Sequence, residues 1–142
     1  MKVEAIHLRA PGASELHTVE TVRAVVGKGL EGDRYFFEAG AKAGQALTLI
    51  EGAVVAEVGL RPGETRRQLT VKGNGLNDLV GKRFRVGDVE CYGVEICEPC
   101  LHLQELTRPG IIKNLVHRGG LNADILTDGS ISVGDEVVEL RR

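Results

Sequence analysis

Arg83-Phe84-Arg85-Val86-Gly87-Asp88-Val89-Glu90-Cys91-Tyr92-Gly93-Val94-Glu95-Ile96-Cys97 decides the fold class. Arg83 to Val86 reads as a strand, Gly87-Asp88 as a hairpin turn, and Val89 to Cys97 as the returning strand. The same pattern, a Val/Ile/Thr-rich run closed by Gly, Asp or Asn, recurs in both directions. Upstream it marks strands over Val3 to Leu8, Val19 to Val26, Ala46 to Ile50 and Gln68 to Val71. Downstream it marks Leu121 to Leu126, Ile131 to Val133 and Glu136 to Leu140. Pro11-Gly12-Ala13-Ser14, Arg61-Pro62-Gly63 and Thr127-Asp128-Gly129 supply turns, and Gly27 to Arg34 is a glycine-punctuated loop. The helical patterns are short: Glu51 to Val58 with Gly59 as its stop, a turn at Leu76 to Leu79, then Pro99 to Leu106 and Pro109 to Val116. The expectation is a mostly β (α+β) fold in a single domain over residues 1–142, arranged as a closed or partly closed mixed β-barrel that protects its edges.

Bulk properties agree with that architecture. A chain of 142 residues buries about two-thirds of its unfolded surface in one core and needs no disulfide or metal merely to fold. Aromatic residues make up 4% and there are 19 glycines, a composition suited to short strands joined by tight turns. The net charge of -2, with both signs interspersed, argues against a nucleic-acid or anionic-membrane surface, so any basic site is local. Met1 to Ala10 alternates charged and apolar residues and reads as a first strand rather than a signal peptide. No segment reaches the length of a membrane span. Three cysteines, an odd number without secretory context, point to a reducing, cytoplasmic setting and to thiols rather than a disulfide framework.

Chemistry concentrates at Cys97-Glu98-Pro99-Cys100. Pro99 suits the first position of a short helix, which puts Cys100 in its first turn, where backbone N–H groups and the positive dipole end favour a thiolate. The spacing of Cys97 and Cys100 also suits a metal, but a structural zinc site needs four ligands and no second pair exists. Cys91 lies about 20 Å away along an extended strand at roughly 3.3 Å per residue, unless the chain bends at Gly93. It reads as core, while Cys97 suits packing and an accessory role equally. His102 and His117 keep a mixed zinc site open.

Several segments occur in the order seen in MOSC domains, named for the C-terminal part of molybdenum cofactor sulfurases. They are Gly29 to Arg34, Leu47-Thr48-Leu49-Ile50-Glu51, Arg66-Arg67-Gln68-Leu69-Thr70-Val71-Lys72-Gly73, Leu79 to Phe84, Glu98-Pro99-Cys100, Arg118-Gly119-Gly120-Leu121 and Gly134-Asp135-Glu136-Val137. The chain resembles a stand-alone MOSC domain over about Gly29 to Val138. Tyr35 stands where the family often has His, and Gln68 where it often has Asn. The resemblance implies a MOSC-type mixed β-barrel and gives Cys100 the place of the family's invariant cysteine. That cysteine is proposed to carry sulfur as a persulfide or to ligate molybdenum. The pterin cofactor carries a phosphate, so Arg34, Arg67, Lys72, His117 and Arg118, with the Gly119-Gly120 amides, are the candidates to receive it.

The leading expectation is a sulfur-handling or molybdenum-cofactor-binding domain working through Cys100. An alternative is a molybdenum-dependent reductase of N-hydroxylated compounds, and another is a non-catalytic, zinc-steadied binding module. A sulfur donor such as a cysteine desulfurase and separate electron-transfer proteins are the implied partners, with a homodimer as the assembly suggested by general frequency.

Overall fold

The structure is a computed structural model, and it describes residues 1–13, 15–97 and 118–141. Eleven strands run through them: β1 (Lys2–Leu8), β2 (His17–Val19), β3 (Thr21–Val25), β4 (Gly29–Leu30), β5 (Leu47–Glu51), β6 (Leu69–Lys72), β7 (Arg83–Val86), β8 (Val89–Ile96), β9 (Leu121–Ile125), β10 (Gly129–Ser132) and β11 (Val137–Glu139). One α-helix, α1 (Gly52–Glu57), joins β5 to β6, and a single 3₁₀ turn covers Leu76–Leu79. The helical readings at Pro99 to Leu106 and Pro109 to Val116 lie outside the described residues.

The hairpin that opened the sequence reading is present. Arg83 pairs with Tyr92 and Val86 with Val89, so Gly87-Asp88 forms a two-residue turn. Gly87 has φ +58 while Asp88 is not among the positive-φ residues, which is the pattern of a type II′ turn and matches the twist of the flanking strands. From this hairpin the main sheet extends in the order β11-β7-β8-β9-β5-β6-β1-β2. All neighbours are antiparallel except β5 and β6, which run parallel because α1 carries the chain back across the sheet. A smaller antiparallel sheet, β10-β3-β4, adds Val22, Ala24, Leu30 and Ile131 to the same core.

Alternation along the strands sorts the side chains by face. In β9, Leu121, Ala123 and Ile125 are buried while Asn122 and Asp124 are half-buried, and in β5 Leu47 and Leu49 point into the core with Thr48 on the other face. Phe84, Leu69, Val71, Val86 and Val89 complete an apolar interior with no measurable exposure. Burial of this kind is worth about 1.5–3 kcal/mol per large side chain. Cys91 belongs here, as its sequence context indicated. It is buried, its Sγ lies 3.8 Å from the Val89 carbonyl oxygen, and desolvation, with Asp124 and Glu90 nearby, pushes its thiol up to about 12.

Of the closed and partly closed forms expected from the sequence, the closed one is excluded for the main sheet. The main sheet is strongly curled but not closed, and among the described residues its outer strands are β11 and β2. Curling does bring the start of β1 to the chain just before β11: Lys2 and Glu136 form an isolated bridge, Val3 N–H donates to the Asp135 carbonyl, and Val137 N–H donates to that of Met1. The contact stays short because β2 occupies the pairing edge of β1 from Ile6 to Leu8. No described helix is long and apolar enough to cross a membrane.

Gly93 shows how tightly the curl is packed. It sits at an irregularity in the β8–β9 register, donates to the Lys82 carbonyl and accepts from Gly81 N–H. A Cβ there would lie 2.0 Å from the Leu79 carbonyl oxygen. Gly93→Ala is expected to cost about 1–3 kcal/mol by forcing backbone apart, read as a lower urea midpoint at unchanged m-value.

Candidate functional site

The site forms on the polar face of the β9-β5-β6 segment, opposite the core. Thr48 pairs in register with Asn122 on one side. On the other side it is joined to Gln68 twice: Gln68 N–H donates to Thr48 Oγ1 at 2.9 Å, and Thr48 N–H donates to Gln68 Oε1 at 3.0 Å. These three polar side chains, with Tyr35, Phe37, Gly44 and Gln45, line an open cleft of about 360 Å³.

One wall is held by Asp33, only 4% exposed. Its Oδ2 accepts from Gln68 Nε2 at 2.7 Å and from Tyr35 N–H at 3.2 Å, and its Oδ1 accepts from Arg9 N–H at 2.9 Å. Burial pushes its pKa above the ordinary carboxylate value, against the opposing pull of the Gln68 and backbone hydrogen bonds and of His17. The Arg34 side chain does not take this carboxylate. Its guanidinium carbon lies 5.1 Å from the Tyr35 ring centroid in a cation–π contact, with the side chain in solvent.

Arg67 is the most informative cation. It is 8% exposed, and its guanidinium donates to three backbone carbonyls: from Nε to Gly119 at 2.7 Å, from Nη1 to Thr65 at 3.1 Å and from Nη2 to Cys97 at 3.4 Å. Among the described residues no carboxylate pairs with it. The approach of the chain is unusual, because Arg66 has φ +66, a left-handed conformation uncommon outside glycine. Both Arg66 and Arg67 precede β6. Thr65 Oγ1 and Arg66 Nη1, on the two residues that precede Arg67 in the chain, are buried without a hydrogen-bond partner among the described residues.

Gly119 and Gly120 are also fixed by close approach. A Cβ on Gly119 would lie 2.0 Å from the Cys97 carbonyl oxygen and one on Gly120 2.0 Å from that of Leu49. In the described bonds both act through carbonyls, Gly119 to Arg67 and Gly120 to Cys97 N–H, rather than through the amides that the sequence suggested. Arg118 forms an ion pair with Glu57 on α1. Lys72 ends β6 with its side chain in solvent, at the far end of that strand from Arg67. Arg67, Gly119 and Gly120 are thus brought together around Cys97, while the side chains of Arg34 and Arg118 are engaged by Tyr35 and Glu57 and that of Lys72 is in solvent. Cys100 and His117 lie outside the described residues. No group of three or more metal-ligating side chains occurs among the described residues.

The model of the MOSC domain family matches residues 43–138, more than half of the chain. No curated protein matches by sequence. Among solved structures, the YuaD protein from Bacillus subtilis superposes with a TM-score of 0.80 at 15% identity, covering 99% of this chain and 96% of that one. YiiM from Geobacillus stearothermophilus gives 0.76 at 16% identity over 99% of this chain and 75% of that one. YiiM from Escherichia coli gives 0.69 at 18% identity over 100% and 71%. At such identities the structural likeness establishes the fold.

Asp33 generates a pH prediction. Its raised pKa means that the folded state holds the proton more tightly than the unfolded state. Its contribution to stability is therefore fully present below the unfolded value of about 4 and is lost as pH rises through the folded value. Urea midpoints of the wild type and Asp33→Asn, measured from pH 3.5 to 7, should differ by an amount that shifts against the wild type as pH rises. Asp33→Asn should still be less stable at low pH, by about 1–3 kcal/mol, because it sets an amide donor against donors.

Proposed function

The chain belongs to the MOSC domain family, and from that premise we propose that it handles the molybdenum cofactor or its sulfur, with the Cys100 thiolate as the reacting group. The observation that carries this reading is the buried Arg67 guanidinium, unmatched by any described carboxylate and bonded to the carbonyls of Cys97 and Gly119. Cys100 follows Cys97 by three residues in the sequence. A buried cation without a counter-ion is costly unless an anion joins it. The unspent polar atoms of Thr65 and Arg66 suit the same anion.

These residues fit a phosphate-bearing pterin. Arg67, with Thr65 and Arg66, would receive the phosphate, and the cleft lined by Tyr35, Thr48, Gln68 and Asn122 would receive a flat polar ring. When bound, the cofactor would supply a molybdenum centre able to accept sulfur and to exchange electron pairs. Arg118, already matched by Glu57, and the exposed Arg34 and Lys72 would contribute long-range charge at most.

As a sulfur carrier, Cys100 attacks the outer sulfur of a donor persulfide, such as one formed on a cysteine desulfurase. The donor's S–S bond breaks as a new S–S bond forms at Cys100, and the donor leaves as a thiolate, so the exchange consumes no external oxidant or reductant.

The test uses the protein supplied with a persulfide donor and with cofactor. The wild type should gain the mass of one sulfur atom and retain molybdenum by elemental analysis. Cys100→Ser should lose the sulfur gain, and Arg67→Met should retain at least tenfold less molybdenum. A wild type that acquires neither sulfur nor molybdenum overturns the reading.

A further inference from the structure

We infer that Asp33 is a positioning residue: its carboxylate fixes the Gln68 amide in one orientation, so that Gln68 meets a bound ligand with an N–H donor. The inference rests on the cofactor reading above and names residues of the cleft that the sequence resemblance did not assign.

The two ends of the Gln68 amide are specified independently. A carboxylate only accepts, so the atom 2.7 Å from Asp33 Oδ2 must be the nitrogen. A backbone N–H only donates, so the atom 3.0 Å from Thr48 N must be the oxygen. Flipping the amide would set oxygen against carboxylate and N–H against N–H, which loses both bonds and replaces them with repulsion. Thr48 Oγ1 meanwhile holds the Gln68 backbone, and Arg9 and Tyr35 backbone N–H groups hold Asp33. No Lys or Arg among the described residues forms an ion pair with Asp33, so the carboxylate is spent on orientation rather than on charge matching.

The consequence lies in what remains. An amide nitrogen carries two N–H groups, and Asp33 takes one. Gln68 lines the cleft, so the second N–H is available to an acceptor atom there, such as a ring nitrogen, a carbonyl oxygen or a phosphate oxygen. Asp33 acts through Gln68 and through Tyr35 N–H, and so couples the loop that carries Tyr35 to the floor of the cleft.

The probe is neopterin monophosphate, a stable fluorescent pterin with one phosphate. Asp33→Asn should weaken its binding at least tenfold. The double variant Asp33→Asn with Gln68→Glu exchanges the two groups: the amide now at position 33 donates to the carboxylate at 68, which still accepts from Thr48 N–H. Its urea midpoint should recover towards the wild type while binding stays weak, because the side chain at position 68 no longer carries an N–H. Recovery of binding together with stability, or unweakened binding by Asp33→Asn, overturns the inference. If neither variant folds, the wild type decides: on adding the probe, one Gln68 side-chain amide proton should shift in its ¹H–¹⁵N spectrum. A shift at Arg67 Nε without one at Gln68 overturns this inference and leaves the cofactor reading standing. No binding by the wild type overturns both.

Discussion

A single buried guanidinium ties three separate segments of this fold together. Arg67 gathers the carbonyl of Thr65, at the end of the return from α1, that of Cys97, which follows β8, and that of Gly119, which precedes β9. Those carbonyls would otherwise be buried polar groups with few partners, and each such group costs about 1–3 kcal/mol when left unsatisfied. The same contacts remove Arg67 from water while giving it no negative charge in return. The hydrogen bonds hold the guanidinium in place, and among the described residues no carboxylate answers its charge, which under the proposed function an anion would answer.

Around that anchor the geometry follows from strand alternation. The faces of β5, β6 and β9 that carry Leu47, Leu49, Leu69 and Leu121 build the core, which leaves Thr48, Gln68 and Asn122 in a polar row on the reverse side. Where α1 covers the sheet, Val55 and Ile50 are buried. Where it does not, the row is open and the Tyr35 loop forms the wall. The cleft is thus the part of an amphipathic sheet left uncovered by a six-residue helix.

Much of this was legible in the sequence because it depends on local pattern. The β7–β8 hairpin, the turn at Gly87-Asp88, the helix after β5 and the burial of Cys91 all follow from spacing and turn chemistry over a few residues. What escaped depends on distance. Asp33 meets Gln68 across 35 positions and Arg118 meets Glu57 across 61, and neither pairing leaves a trace in neighbouring residues. The left-handed backbone at Arg66, which sets the direction from which the chain enters β6, also has no signature in residue type, since a non-glycine residue holds it. Closure of the barrel was likewise beyond reach, since it turns on accumulated twist and on which strand takes the free side of β1. The polar residues interrupting Leu47-Thr48-Leu49 and Gln68-Leu69-Thr70 were the available signal of the polar face that lines the cleft.

Leaving the sheet open has a consequence for behaviour in concentrated solution. The two strands at its margins, β2 and β11, are each only three residues long, and β2 has no fully buried residue. A foreign strand docking there would find few unpaired amides in line before the chain turns away. Such brevity is a recognised deterrent to runaway stacking of one sheet on the next. This fold can therefore forgo ring closure, keep the cleft flank open to solvent and still resist polymerising through its margins.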